Sequence, residues 1–223
     1  LIVQGDRSIL VGVDNPKYAE ARDALAPFAE VVKSPEHTHT YRLTNLSLWN
    51  AAAAGHPASE MIEVLSRLSK FPLPPNLPPD ITAATGIDAM VHAIEAFTSA
   101  RLKNPLSDAL AREALRLLAA HIRTACRDGR NVEARGAMLF GAYLAGVAFA
   151  NAPVAGVHAL AYPLGGHFHV PHGLSNALML PHVLSHNMPA AWHLYAELAP
   201  LIDPALVEQG PQGRAQGMIE ALD

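Results

Sequence analysis

Apolar and polar positions change rhythm once along the chain. Near the start, SILVGVD (residues 8–14) is a short apolar, partly β-branched run that ends in a polar turn, which predicts a strand. Asn15-Pro16 then opens a helix over KYAEARDALA, and Met61, Ile62, Leu65 and Leu68 recur at helical spacing with Pro57 near their start. The intervening PEHTHTYRLTNLSLWN receives no element from its pattern. FPLPPNLPPD (71–80) carries five prolines, which remove backbone donors, so neither a helix nor a central strand is expected to pass through it. A domain boundary is placed there.

Beyond residue 82 the pattern is helical almost throughout. Helices are expected over 86–100, 105–126, 131–151, 153–164, 173–187 and 190–202, and the ending GPQGRAQGMIEALD reads as a loop followed by a helix that stops early. In the second helix Leu106, Leu110, Ala114, Leu117, His121 and Ala125 form an apolar stripe, with His121 at the core edge. The run GAMLFGAYLAGVAFA (136–150) has fifteen residues, short of the roughly 20 that cross a bilayer, and predicts a buried helix. Gly136, Gly141, Ala145 and Gly146 would allow close packing along it. The expected architecture is therefore an α/β N-terminal portion over 1–80, with the proline-rich linker at 71–80, and an all-helical bundle over 81–223 that is incomplete at its C-terminus.

Composition narrows the function. Half of the 223 residues are apolar, enough for a globular core, and the formal charge of −4 offers no basic stripe for nucleic acid. A small-molecule partner is the better expectation. Cys126 is the single cysteine, which excludes an internal disulfide and fits a reducing compartment. Asp6 and Arg7 interrupt the first apolar run, so it does not read as a signal peptide, and a cytoplasmic protein without a membrane segment is expected.

The chemistry concentrates in histidines. In TGIDAMVHAIEAF, Asp88 and His92 are four apart, so on a helix both project from one face and can meet one ion. The alternative is a capping box, in which Thr85 and Asp88 serve a helix N-terminus. In GVHALAYPLGGHFHVPHG, His158 falls in a short apolar helical segment and His172 at Pro-His-Gly, where a chain turns into a helix. One carboxylate and three imidazoles suit Fe(II), Zn(II), Mn(II) or Ni(II). His167 and His169 flank Phe168 in an expected loop, at a pocket entrance or simply in solvent, and His182 and His186 form a second pair without a third partner nearby.

TAATGIDAMVHAIEAFTS, NPLSDALAREALRLL, AGVAFANAPVAGVHALAYPLGGHFHVPHGLSNALMLPHV and HNMPAAWHLYAELA resemble, in order, segments of the iron-containing (group III) alcohol dehydrogenases, which include lactaldehyde, 1,3-propanediol and maleylacetate reductases. The resemblance implies an α/β dinucleotide-binding domain followed by a helical domain, with a divalent ion in the cleft between them. It implies Asp88, His92, His158 and His172 as ligands of that ion, Fe(II) or alternatively Zn(II). It further implies hydride transfer between NAD(P) and a small alcohol or aldehyde, in a homodimer or higher homo-oligomer.

Two departures from the family stand out. Tyr162 replaces a histidine that many members carry four residues after the third ligand, and a tyrosine near neutral pH donates a hydrogen bond rather than acting as a base. Tyr162 and His167 are the residues expected to contact substrate or relay protons, with an aromatic cleft wall as the alternative for Tyr162. The chain also lacks the family's glycine-rich pyrophosphate segment, and its 80 N-terminal residues are too few for the family's cofactor domain. A longer parent with its own cofactor domain is one explanation and a reduced homologue the other. The latter keeps open a non-redox hydrolase or lyase and a non-catalytic metal-binding module.

Overall fold

Ile9 and Val11 alternate with more exposed neighbours in the strand SILVG, and that alternation anchors the first of two compact units. The computed structural model describes every residue except Asn45, Leu46, Trp49, Ala52, Ala53, His169 and Pro171. The units are Leu1–Thr85 and Gly86–Asp223.

In the first unit, strands β1 (Ile2–Val3), β2 (Ser8–Gly12), β3 (Glu30–Lys33) and β4 (Thr38–Arg42) form one sheet in the order β1-β2-β4-β3. All pairings are antiparallel, with Ile9 opposite Tyr41 and Val11 opposite His39. A dinucleotide-binding half is built from parallel strands joined by crossover helices, so this sheet differs from the cofactor-type arrangement expected of residues 1–80. β4 lies in the stretch that received no element; its Thr-His-Thr-Tyr alternation becomes a strand through its pairing with β2. Helices α1 (Tyr18–Leu25) and α2 (Ala58–Leu68) supply Leu25, Met61 and Leu65 to a core shared with Ile9, Val11, Phe28 and Tyr41.

Helix α3 (Leu77–Phe97) begins inside the proline-rich segment, contrary to expectation. Pro78 and Pro79 stand in its first turn, where backbone amides have no intrahelical acceptor, so the missing N–H groups cost little there.

In the second unit, α4 (Pro105–Arg127) and α5 (Val132–Asn151) form a helical hairpin. Each is capped by an asparagine: Asn104 Oδ1 accepts from Ser107 N and Asn131 Oδ1 from Ala134 N, both at 2.9 Å. The buried face of α4 is Ser107, Ala111, Ala114, Leu115, Leu118 and Ala125, rotated from the predicted stripe, and Leu106 is 63% exposed. His121 is half-buried and its Nδ1 lies 2.9 Å from Leu117 O, as a core-edge residue would. Of the three glycines of α5, only Gly141 is at a close approach: a Cβ there would lie 2.9 Å from Leu118 Cγ. Gly136 and Gly146 face open space.

α5 is longer than its apolar run, and at 20 residues it is the one helix among the described residues long and apolar enough to cross a membrane. Its outer face, with Leu139, Phe140 and Tyr143, is exposed, so it is less buried than expected.

Helix α6 (Gly156–Phe168) is followed by α7 (His172–Ile202), a 3-10 turn (Pro204–Glu208) and α8 (Pro211–Leu222). The two helices expected over 173–187 and 190–202 are one, running through Pro181, Pro189 and Pro200. An interior proline costs about 3 kcal/mol, and burial of Leu180 and Leu184 on one side of Pro189 and Tyr195 and Leu198 on the other offsets it. α8 starts at Pro211, at once after Gly210, where a loop was expected; proline is again at a first-turn position.

Candidate metal centre

Every member of the polar cluster belongs to the second unit. α3 presents Asp88, His92 and Glu95 on one face, all buried. The capping-box alternative for Asp88 is removed, because α3 starts two turns earlier and Thr85 Oγ1 donates to Ile81 O at 2.9 Å.

Glu95 ties α3 to the start of α6. Its carboxylate accepts from Ala155 N at 2.9 Å and Val157 N at 2.7 Å, and its Oε2 lies 2.6 Å from His158 Nδ1. An anionic acceptor at Nδ1 keeps the proton on that nitrogen, which donates it in the hydrogen bond, so the imidazole's other nitrogen is directed inward. His158 Nε2 is 3.5 Å from Asp88 Oδ1. His172, the first residue of α7, brings its Nε2 to 3.3 Å from the same oxygen. His92 Nδ1 is 3.6 Å from Asp88 Oδ2, and its ring lies 4.5 Å from that of His158. Asn176, one turn after His172, donates from Nδ2 to Asp88 Oδ1 at 2.5 Å.

Burial works against the charge on Asp88, yet the imidazoles of His158, His172 and His92 around it hold its carboxyl well below the usual carboxylate range. Burial pulls His92 down, opposed by Asp88. For His158 burial is outweighed by its bonds to Asp88 and Glu95, which push it up to about 9.

The arrangement fits a divalent ion. Asp88, His158 and His172 place one ligand atom each within 4.8 Å of one another. A tetrahedral ion with bonds of about 2.0–2.2 Å holds its ligand atoms roughly 3.3–3.6 Å apart, and the two carboxylate-to-imidazole separations are 3.3 and 3.5 Å. His92 stands beside this triad. Without thiolates, the set suits Fe(II) or Zn(II).

Tyr162, one turn after His158, stacks on His172 with ring centroids 5.6 Å apart and is 48% exposed. Burial, and then the charges of Asp88 and Glu95, raise its phenol, which keeps it a hydrogen-bond donor. His167 is not in a loop: α6 continues through Gly165 and Gly166 to Phe168, and Val170 N closes its end on Leu164 O at 3.2 Å. The side chain of His167 is exposed and packs edge-on against Phe168, nine residues on from His158. His169 lies outside the described residues, and His182 and His186 are exposed on α7.

Glu95 and Asn176 escape the reading of the sequence. The signal was available in their spacing, since Glu95 follows His92 by three and Asn176 follows His172 by four.

A buried carboxylate-imidazole cluster in a helical domain defines a class, divalent-metal proteins whose ligands project from facing helices. Residues 82–222 match the Fe-containing alcohol dehydrogenase family, C-terminal, and by this match the chain belongs to that family. Residues 1–116 match a second family, the helicase conserved C-terminal domain, which takes in the part expected to be cofactor-type and overlaps the first match over 82–116, so the chain's first part carries a helicase-family segment.

A 1,3-propanediol dehydrogenase of Klebsiella pneumoniae is 41% identical over 145 residues, covering 65% of this chain and 37% of the relative. A crystal structure of a 1,3-propanediol oxidoreductase superposes with TM-score 0.62 at 41% identity, covering 65% of this chain and 37% of that one. The DNA 3'-5' helicase XPB of Kineococcus radiotolerans is 49% identical over 81 residues, covering 36% of this chain and 14% of the relative. The chain thus spans less than two fifths of the length of these relatives.

Proposed function

We propose that the second unit holds one divalent ion, Fe(II) or Zn(II), on Asp88, His92, His158 and His172, and that this centre serves hydride transfer between a small alcohol or aldehyde and NAD(P). The observation that carries the reading is the tetrahedral spacing of Asp88 Oδ1 against the Nε2 atoms of His158 and His172, at 3.5 and 3.3 Å. A bound divalent ion supplies Lewis acidity that lowers the pKa of an alcohol hydroxyl. Glu95 fixes the tautomer of His158, and burial of the four donors excludes water from their bonds. Tyr162, stacked on His172 and half-exposed, donates a hydrogen bond to the substrate oxygen. His167, at the exposed end of α6, stands as a rim residue for substrate.

The nicotinamide site is assigned to a part of the complete enzyme outside this unit. The helicase-family match of the first part favours a second reading, a metal-binding helical module attached to an unrelated segment, without redox turnover of its own.

The test is to load the chain anaerobically with Fe(II) or Zn(II) and measure bound metal, and to measure alcohol-dependent reduction of NAD(P) with the second unit joined to a cofactor domain of the family, each alongside His172→Ala. The proposal expects about one ion per chain and alcohol-dependent turnover, both lost in the variant. Full turnover in a metal-free variant would sink it, and a retained ion with no turnover selects the second reading.

A further inference from the structure

Asn176 is fully buried on α7, and its two amide atoms meet opposite surroundings. Nδ2 faces Asp88 Oδ1 at 2.5 Å, His172 Nε2 at 3.1 Å and His158 Nε2 at 3.3 Å. Oδ1 is buried with no hydrogen-bond partner among the described residues. A buried acceptor left unsatisfied is costly, so the orientation of the amide is dictated by the two nearest of the three atoms around its NH2 group, the acceptors Asp88 Oδ1 and His172 Nε2. Those three atoms are the ones that the ion of the proposed centre would bind.

An amide NH2 only donates and has two hydrogens. The two nearer acceptors, Asp88 Oδ1 and His172 Nε2, account for both. The carboxylate oxygen has a further lone pair, so an ion and an N–H can share it. An imidazole Nε2 has one lone pair, which goes either to an ion or to an N–H donor.

We propose that the Asn176 amide is a built-in competitor for the cation, which holds the His172 Nε2 lone pair when no ion is bound and must release it for an ion to bind. The inference rests on the metal-centre reading above. It makes Asn176 a residue that stabilises the ion-free centre and keeps the ion exchangeable, the opposite of a ligand. Removing the amide deletes a bond present only in the ion-free state. Apparent affinity then rises by what one ordinary hydrogen bond is worth, about tenfold.

The test is a competition titration of Zn(II) against a chromophoric chelator for the wild-type chain and Asn176→Ala. Asn176→Ser, whose hydroxyl is too short to span the same acceptors, is the second variant should Ala fail to fold. Thermal unfolding of the ion-free proteins accompanies it. The expected result is about tenfold tighter Zn(II) binding together with a lower melting temperature of the ion-free variant. Affinity that falls, or stays within twofold, overturns the inference while leaving the metal centre standing. A wild-type chain that binds no stoichiometric ion overturns the centre, and this inference with it.

Discussion

Glu95→Gln is the substitution that most sharply separates a centre held in register from a chance cluster. The wild-type carboxylate accepts three hydrogen bonds, from Ala155 N, Val157 N and His158 Nδ1, at 2.9, 2.7 and 2.6 Å. Glutamine has the same shape but one acceptor oxygen. With that oxygen turned toward Ala155 N and His158, its NH2 group meets the Val157 N–H donor to donor. The substitution therefore exchanges charge-assisted bonds of about 1.5–3 kcal/mol each for neutral ones of about 0.5–1.5, and strands a buried donor at a cost of about 1–3 kcal/mol. A loss of roughly 3–6 kcal/mol in unfolding free energy follows, read from urea denaturation of the ion-free protein. Metal affinity should fall about 10–100-fold, the usual consequence of removing the partner that orients a ligating imidazole. Chelator competition for Zn(II) reads that directly. Affinity within twofold of wild type in a folded Glu95→Gln protein would refute the role given to Glu95.

Further expectations follow from the same geometry. Because His158 is raised from 6.5 to about 9 in the ion-free protein, its charged form contributes stability fully present below pH 6.5 and lost as the pH rises through about 9. Ion binding must displace that proton, so apparent Zn(II) affinity should climb by about tenfold per pH unit up to about pH 9 and then level off; a flat profile from pH 7 to 9 would contradict it. Gly141→Ala forces a Cβ to 2.9 Å from Leu118 Cγ and 3.3 Å from Ala114 O, so overpacking of about 1–3 kcal/mol should exceed the helix-propensity gain of about 1. Gly146→Ala, with nothing within 4 Å, should instead stabilise by up to about 1 kcal/mol, and paired thermal melts check the opposite signs. Tyr162→Phe keeps the ring on His172 but removes the hydroxyl. Zn(II) affinity should stay within about twofold while alcohol turnover falls about 100-fold, the low end of what a positioned proton donor supplies.

The centre was partly legible in the sequence because two of its rules are local. The four-residue step from Asp88 to His92 places two donors on one helix face whatever surrounds them, and His158 and His172 stand out in an apolar stretch. Glu95 and Asn176 obey the same spacing rule, yet a glutamate on a helix most often faces solvent, and only the approach of α6 to α3 turns Glu95 into an acceptor. The proline run predicts no helix over 71–80, yet α3 starts inside it because Pro78 and Pro79 fill a helix's first turn, where a missing N–H costs little. Gly165-Gly166 predicts a loop around His167, but the helix passes through both glycines. The antiparallel sheet of the first unit was not legible at all: β2 finds its partner β4 some thirty residues away, and neither strand's own pattern names its neighbour or its direction.

The central claim is that one divalent ion is held by Asp88, His92, His158 and His172. The most direct measurement is X-ray absorption at the zinc edge of the Zn(II)-loaded chain, with Asp88→Ala and His172→Ala measured beside it. The account predicts a shell of three imidazole nitrogens and one carboxylate oxygen at about 2.0–2.2 Å, with one imidazole lost in His172→Ala and the carboxylate lost in Asp88→Ala. A Zn(II) shell unchanged by both substitutions would place the ion elsewhere and contradict the account.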